Sequence, residues 1–176
     1  AIADTLFGDS NPSGKLPFTY PKHANSLTPY NHLPVEVAEG NKYDPQWPFG
    51  FGLSYTKFKY NNLKISKEKI LLKDNVEVSV DVSNVGQRQG KEAVELYITD
   101  QYASIARPVQ ELKNMEKIDL KPGETKTVSF TITPNDLSFI AANSKRITEP
   151  GEFKVRIGDQ TGGFEMLKSH PVKRLE

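Results

Sequence analysis

The 176-residue sequence contains no cysteine. That absence excludes a disulfide framework, a Cys-ligated zinc site and a thiol nucleophile. It leaves the redox compartment open, because secreted chains also do without Cys. No apolar run approaches the roughly 20 residues that a membrane-spanning helix requires. Neither sign of charge dominates: 23 Lys and Arg stand against 22 Asp and Glu, a net charge of +1. A basic footprint for nucleic acid or an anionic membrane is therefore missing. The opening Ala1-Ile2-Ala3-Asp4 has no start Met, basic n-region or signal-peptide pattern. Apolar residues make up only 36% of the chain, so the fold depends on where they are placed.

What is present is unevenly spread. Seven of the twelve prolines (Pro12, Pro17, Pro21, Pro29, Pro34, Pro45 and Pro48) fall in the first 48 residues, and eleven of the seventeen aromatics in the first 60. Proline blocks helix and central strand, so residues 8–54 are expected to be mostly extended loop and turn. A loop of that length needs something to bury its rings. Two readings stand: the stretch lies against another body, or it is a free tail. Tails are usually polar, which favours docking. Ala1 to Phe7 reads as the last turns of a helix closed by Gly8 in the left-handed conformation. Seven residues are too few for a stable helix alone, so its remainder is expected upstream. Asn11-Pro12-Ser13-Gly14 reads as a turn, and Leu16 to Tyr20 as a short edge strand.

From residue 58 apolar residues alternate with polar ones. Phe58, Tyr60, Leu63 and Ile65 predict a strand with one irregularity. Val76, Val78, Val80 and Val82 predict a half-buried strand, as do Val94, Leu96 and Ile98. Leu112, Met115, Ile118 and Leu120 slip once, which predicts a β-bulge. Val128 to Ile132, Ile140 to Thr148, Phe153 to Ile157 and Phe164 to Val172 complete the set. Turns are expected at Asn84-Val85-Gly86, Lys121 to Glu124, Pro134 to Asp136, Pro150-Gly151 and Gly162-Gly163. The fold class is mainly β: an antiparallel two-layer sandwich over 58–176, preceded by an irregular Pro- and aromatic-rich segment over 1–57. The sandwich is expected to fold alone and the first 57 residues are not.

Candidate chemistry is sparse. Gly8 to Lys15 superficially resembles a phosphate loop, but five residues separate its glycines instead of four, and Leu16 stands where Ser or Thr would bind magnesium. Phe49 to Tyr55 has two glycines of a dinucleotide fingerprint and no helix after them. There the glycines are expected to let the backbone pass close to a neighbour while Phe49, Phe51 and Tyr55 insert sideways. His23, His32 and His170 have no metal-ligand spacing and are expected to be solvated. Asp9 and Asn11 are expected to cap their own turn. No metal or other cofactor is expected. Glu77, Asp81, Glu95, Glu124 and Glu152 fall on outward strand positions or in turns, the ordinary solvated face. Trp47 with Tyr43 either stacks on a sugar ring or is buried against a neighbour. Arg107, held before Pro108, either anchors an interface or faces solvent.

Leu6-Phe7-Gly8-Asp9 with Asn11-Pro12-Ser13-Gly14-Lys15-Leu16-Pro17 resembles the closing segment of the α/β sandwich domain in family-3 glycoside hydrolases, the β-glucosidase and β-xylosidase group. Pro48 to Thr56 resembles the approach to that family's fibronectin type III-like domain. Arg107 to Leu112 and Leu120 to Thr125 resemble its internal signatures. The resemblance runs nearly end to end, with the motifs in the family's order. It implies a retaining glycosidase in which an aspartate forms a glycosyl-enzyme and a second group, often Glu, is acid then base. Both would come from upstream parts, the barrel and the body of the α/β sandwich domain, so no catalytic residue is carried over to this chain. The partners implied are those catalytic domains, with a β-glycoside substrate reached only through them. Phe49, Phe51, Tyr55, Arg107 and Pro108 would form the interdomain interface, and a periplasmic or secreted setting is favoured. The stretch 22–47 is shorter than in many members, which weakens the case for Tyr43 and Trp47 touching sugar. The alternative function is a carbohydrate-binding or scaffold β-sandwich.

Overall fold

A computed structural model describes residues 2–26, 28–34 and 43–168. It opens with a six-residue helix α1 (Ile2–Phe7), closed as expected by Gly8 at φ +89°. The Gly8 amide donates to the Thr5 carbonyl. Among the described residues, the next regular elements are β1 (Phe58–Ile65), β2 (Lys69–Ile70), β3 (Val76–Asn84), β4 (Gly90–Asp100), β5 (Glu111–Leu120), β6 (Thr125–Ile132), β7 (Phe139–Ile140), β8 (Arg146–Ile147), β9 (Gly151–Ile157) and β10 (Gln160–Met166). One sheet has the order β1-β3-β6 and the facing sheet β2-β10-β9-β4-β5. Pairing is antiparallel throughout except for the two residue pairs joining β2 to β10, which run parallel. The predicted sandwich is therefore present.

Alternation places the core. Val76, Val78, Val80 and Val82 of β3 are wholly buried, and they face Val94, Leu96, Val155, Ile157 and Phe164 from the opposite sheet. Each such side chain contributes roughly 1.5–3 kcal/mol relative to exposure. The expected irregularity in β1 is a bulge between Asn61 and Lys64. Asn62 sits there at φ +55°, a conformation Asn tolerates, and its amide donates to Asp81 at 2.9 Å. That extra residue keeps Phe58, Tyr60, Leu63 and Ile65 all packed on the core. The slip in β5 is a bulge as well: Leu96 pairs with Asn114 and Tyr97 with Leu112, leaving Lys113 over.

Five local expectations are corrected. Gly162-Gly163 is not a turn: the chain reverses at Gly158-Asp159, with Gly158 at φ +58°, and both later glycines lie inside β10. A Cβ at 163 would lie 2.9 Å from the Phe153 carbonyl oxygen, so close approach explains that glycine. The last strand stops at Met166, and residues 169–172 of its predicted span lie outside the described residues. Ile140 to Thr148 is not one strand but the hairpin β7–β8, turned by Ser144 at φ +61°. Leu16 to Tyr20 meets the 46–51 stretch only at its two ends, because prolines interrupt any longer ladder. Leu16 donates to Phe51 O at 2.8 Å and accepts from the Gly50 amide, and Tyr20 donates to Trp47 O at 2.8 Å and accepts from the Gln46 and Trp47 amides. Asn11 to Gly14 runs without a turn.

Leu96, 1% exposed between the sheets, is the sharpest probe of this core. Leu96→Ala is expected to cost about 2–5 kcal/mol in urea unfolding, through lost transfer energy and the cavity left behind.

Candidate functional site

The site is built where the first 57 residues meet the sandwich. Strand β4 is buried on both faces: Val94, Leu96 and Ile98 inward, Ala93 and Tyr97 outward. A solvated outer face was expected for Glu95. Instead the 48–52 stretch crosses it. Gly50, at φ +79°, passes so near that a Cβ would lie 2.6 Å from both Glu95 Oε2 and the Tyr97 hydroxyl. Gly52 approaches the Gly14 carbonyl just as tightly. The close passage of these glycines is thus made within this chain, Gly50 over β4 and Gly52 against Gly14.

The seam is polar and internally satisfied. Tyr97 donates to Glu95 at 2.7 Å, and the Arg156 guanidinium lies 4.3 Å from the centre of the Tyr97 ring while donating to Gln110 at 2.9 Å. The Leu112 amide donates to the Tyr30 hydroxyl, and the Tyr30 ring stacks on Phe49 at 4.1 Å. Lys15 reaches Glu92 at 3.0 Å, and Tyr60 donates to the same carboxylate at 2.8 Å. Asn11 donates to the Gln89 carbonyl and accepts from Ser54 and the Tyr55 amide, so it clamps distant chain rather than capping its own turn. Burial holds Glu95 above the ordinary carboxylate range. Burial, followed by the Glu92 charge, keeps Tyr60 protonated far into alkali. On the open faces the sign reverses: Asp81 is held low by bonds from Thr127 and Asn62, and Glu124 by the Lys121 amide.

The other side of the segment is apolar and uncovered. Ile2 and Leu6, one turn apart on α1, are 79% and 74% exposed, Phe7 85% and Leu53 71%. Phe18, Tyr20, Trp47 and Phe51 form a run of rings with neighbouring centroids 6.2, 5.1 and 6.2 Å apart. The first three remain well exposed.

Of the rings singled out from sequence, Trp47 stands in this run, whereas Tyr43 stacks on His32 at 3.9 Å with its hydroxyl 3.2 Å from Thr19. His32 is therefore buried, contrary to expectation. His23 is exposed, and His170 lies outside the described residues. Tyr55 is half exposed and donates to the Thr5 carbonyl at 2.7 Å, tying α1 down. Arg107 does not face solvent: it pairs with Glu111 and stands 4.7 Å from the centre of the Phe139 ring. Pro108 lies beside it in the wall of a cavity of about 590 Å³, bounded by Leu33, Pro34 and residues 99–109. Among the described residues, no three His, Asp or Glu side chains gather as a metal-ligand set. Sequence reasoning missed Glu92, Thr56 and Asn84. Glu92 shares strand parity with Val94 and Leu96, a usable signal of inward placement. Asn84 continues the Val76–Val82 parity, but its role needs partners far apart in sequence.

Glu95 supplies a pH test. Its folded form holds a proton more firmly than the unfolded chain does, so stability falls as pH rises from the ordinary carboxylate value through the raised one. Glu95→Gln keeps an acceptor for Tyr97 and removes the buried charge. It is expected to be more resistant to urea than the parent at pH 7, with the gap closing below about pH 4. Unfolding curves across that range check it.

Residues 1–55 match the family profile described as the glycosyl hydrolase family 3 C-terminal domain, and residues 92–161 that of a fibronectin type III-like domain. The chain is 42% identical to a periplasmic β-glucosidase of Salmonella typhimurium over 95% of its own length and 24% of that protein's. It is 39% identical to a β-xylosidase of Formosa agariphila, over 90% of this chain and 23% of the relative. Among solved structures, a β-glucosidase from Erythrobacter marinus superposes with a TM-score of 0.87 at 38% identity, covering 94% of this chain and 23% of that one. A D270A β-glucosidase from Listeria innocua with laminaribiose gives 0.85 at 33%, covering 95% and 26%. The chain thus spans about a quarter of the length of the curated relatives it matches. It belongs to glycosyl hydrolase family 3, carrying a stretch of that family's C-terminal domain followed by its fibronectin type III-like sandwich.

Proposed function

We propose that this chain is the non-catalytic, supporting part of a retaining β-glucosidase-type hydrolase that releases terminal β-linked glucose or xylose. In this reading residues 1–57 are the tail of an α/β domain and linker, and residues 58–176 are the sandwich. The observation that carries it is the two-sidedness of the segment. One side is bonded to the sandwich through Lys15–Glu92, Asn11–Gln89 and the Gly50 passage. The other presents Ile2, Leu6, Phe7, Leu53 and the ring run to a body of matching apolar chemistry. The contacting ring run of Phe18, Tyr20, Trp47 and Phe51, with three of its rings exposed, is the kind of apolar surface that marks an interface. The partners are the barrel and the rest of the α/β domain. Retaining hydrolysis needs two carboxyl groups about 5–5.5 Å apart across the scissile bond. Here Glu92 is engaged by Lys15 and Tyr60, and Glu95 by Tyr97. The chain's contribution is to hold catalytic domains in register, where small displacements cost rate steeply.

The purified chain is expected to show no hydrolysis of aryl-β-glucosides, and adding the upstream part as a separate polypeptide to restore it. Turnover by the chain alone would refute the supporting role. A second reading rests on Trp47, which is 38% exposed and presents a ring able to stack on a pyranose; Tyr43, the other ring named for sugar contact, is engaged by His32 and Thr19 instead. Calorimetry against cello- and xylo-oligosaccharides is then expected to give heat that Trp47→Ala abolishes; a trace at background rejects this reading.

A further inference from the structure

Two residues before β1, Thr56 is not a passive linker. Thr56 is 7% exposed and Asn84, at the end of β3, is wholly buried. Thr56 Oγ1 donates to Asn84 Oδ1 at 2.7 Å, and the Gly86 amide donates to the same oxygen at 3.1 Å. Asn84 Nδ2 donates to the Arg88 carbonyl at 2.7 Å and to the Leu120 carbonyl at 3.0 Å. A carboxamide offers two donors and two acceptor positions, and all four are used. The Asn84 main chain adds bonds to the β5–β6 turn, accepting from Gly123 and donating to Glu124, and the Val85 amide donates to the Lys57 carbonyl. The socket around Thr56 is tight. A Cβ at Gly86 would overlap its hydroxyl, and one at Gly90 would lie 2.8 Å from its methyl. The Lys15–Glu92 and Asn11–Gln89 clamps lie further out and are partly exposed.

We propose that Asn84 is a positioning residue: through Thr56 it fixes the angle at which the amino-terminal segment leaves the sandwich, and so where the exposed ring run stands. Its charge-free, fully paired amide is suited to this. It couples the segment to the β3–β4 turn, the end of β5 and the β5–β6 turn at one buried point, where rotation of the segment breaks bonds that water cannot replace. Any effect on catalysis rests on the supporting role proposed above; the geometric effect does not.

The cysteine-free chain accepts paired spin labels at Gln46→Cys and Thr161→Cys, both exposed positions on either side of the joint. Pulsed dipolar spectroscopy on the full chain is expected to give one narrow distance distribution. Thr56→Val, which keeps the methyl and removes the hydroxyl, is expected to broaden it at least twofold, and Thr56→Ser to restore it. Amide exchange in β3, β4 and β5 stays at the parent level. An unchanged distribution in Thr56→Val, equal broadening in Thr56→Ser, or general loss of exchange protection in Thr56→Val each overturns the proposal. In the full-length hydrolase, Thr56→Val is expected to lower kcat at least threefold with KM held. Broadened distances with unchanged kcat would leave the joint standing and overturn the supporting role instead.

Discussion

The structure depends on one close approach. Where the 48–52 stretch crosses β4, Gly50 lies so near Glu95 and Tyr97 that only hydrogen fits in place of a side chain. This contact turns β4 from a strand with one wet face into a strand buried on both, which is uncommon in an antiparallel sandwich. The rest follows from that cover. Once the outer face is dry, its polar groups must be paired internally. Tyr97 is given Glu95, Arg156 is given Gln110 and the face of Tyr97, and Tyr30 is given the Leu112 amide. The cost of burying Glu95 is visible in its raised proton affinity.

An irregular segment held in this way acquires a fixed shape without regular secondary structure of its own. Its prolines keep it extended. Its side chains are split between two surfaces: polar ones such as Asn11 and Lys15 toward the sandwich, aromatic ones such as Phe18, Tyr20 and Trp47 away from it. Under the proposed role, the segment is an adaptor between the β-sandwich and a much larger catalytic body. The sandwich then matters through geometry rather than chemistry. Its membership of glycosyl hydrolase family 3 fits that division, since domains that carry no reacting group can still set the separation of those that do.

Much of the fold was legible. Period-two alternation identified the strands that form the core, because a strand's side chains must take opposite faces. The phase slips at Leu63 and Met115 marked the two bulges for the same reason. The failures came where a local rule met a non-local constraint. Gly162-Gly163 has turn composition, but Gly163 is required by close approach to the Phe153 carbonyl and Gly162 packs against the Ile65 side chain. Glu95 has the sequence context of a solvated position, and it is covered by residues more than 40 positions away. For Arg107 the sequence left an interface anchor and a solvent-facing side chain open, and placing it over the Phe139 ring was beyond reach, since Phe139 meets it only through the tertiary fold.

The sequence by itself determined the period, and with it the β class, the inward residues, the turns near 84–86, 121–124 and 134–136, and the motifs that carry the family. Those are short-range properties, set by backbone stereochemistry and by the order of apolar and polar side chains. Only the tertiary structure decided which face of the proline-rich segment meets the sandwich and which is left open. It also decided that Asn84, Thr56, Glu92 and Tyr60 converge at the joint. Such contacts join residues dozens of positions apart, and no alternation along the chain encodes which partner a buried amide or carboxylate will find.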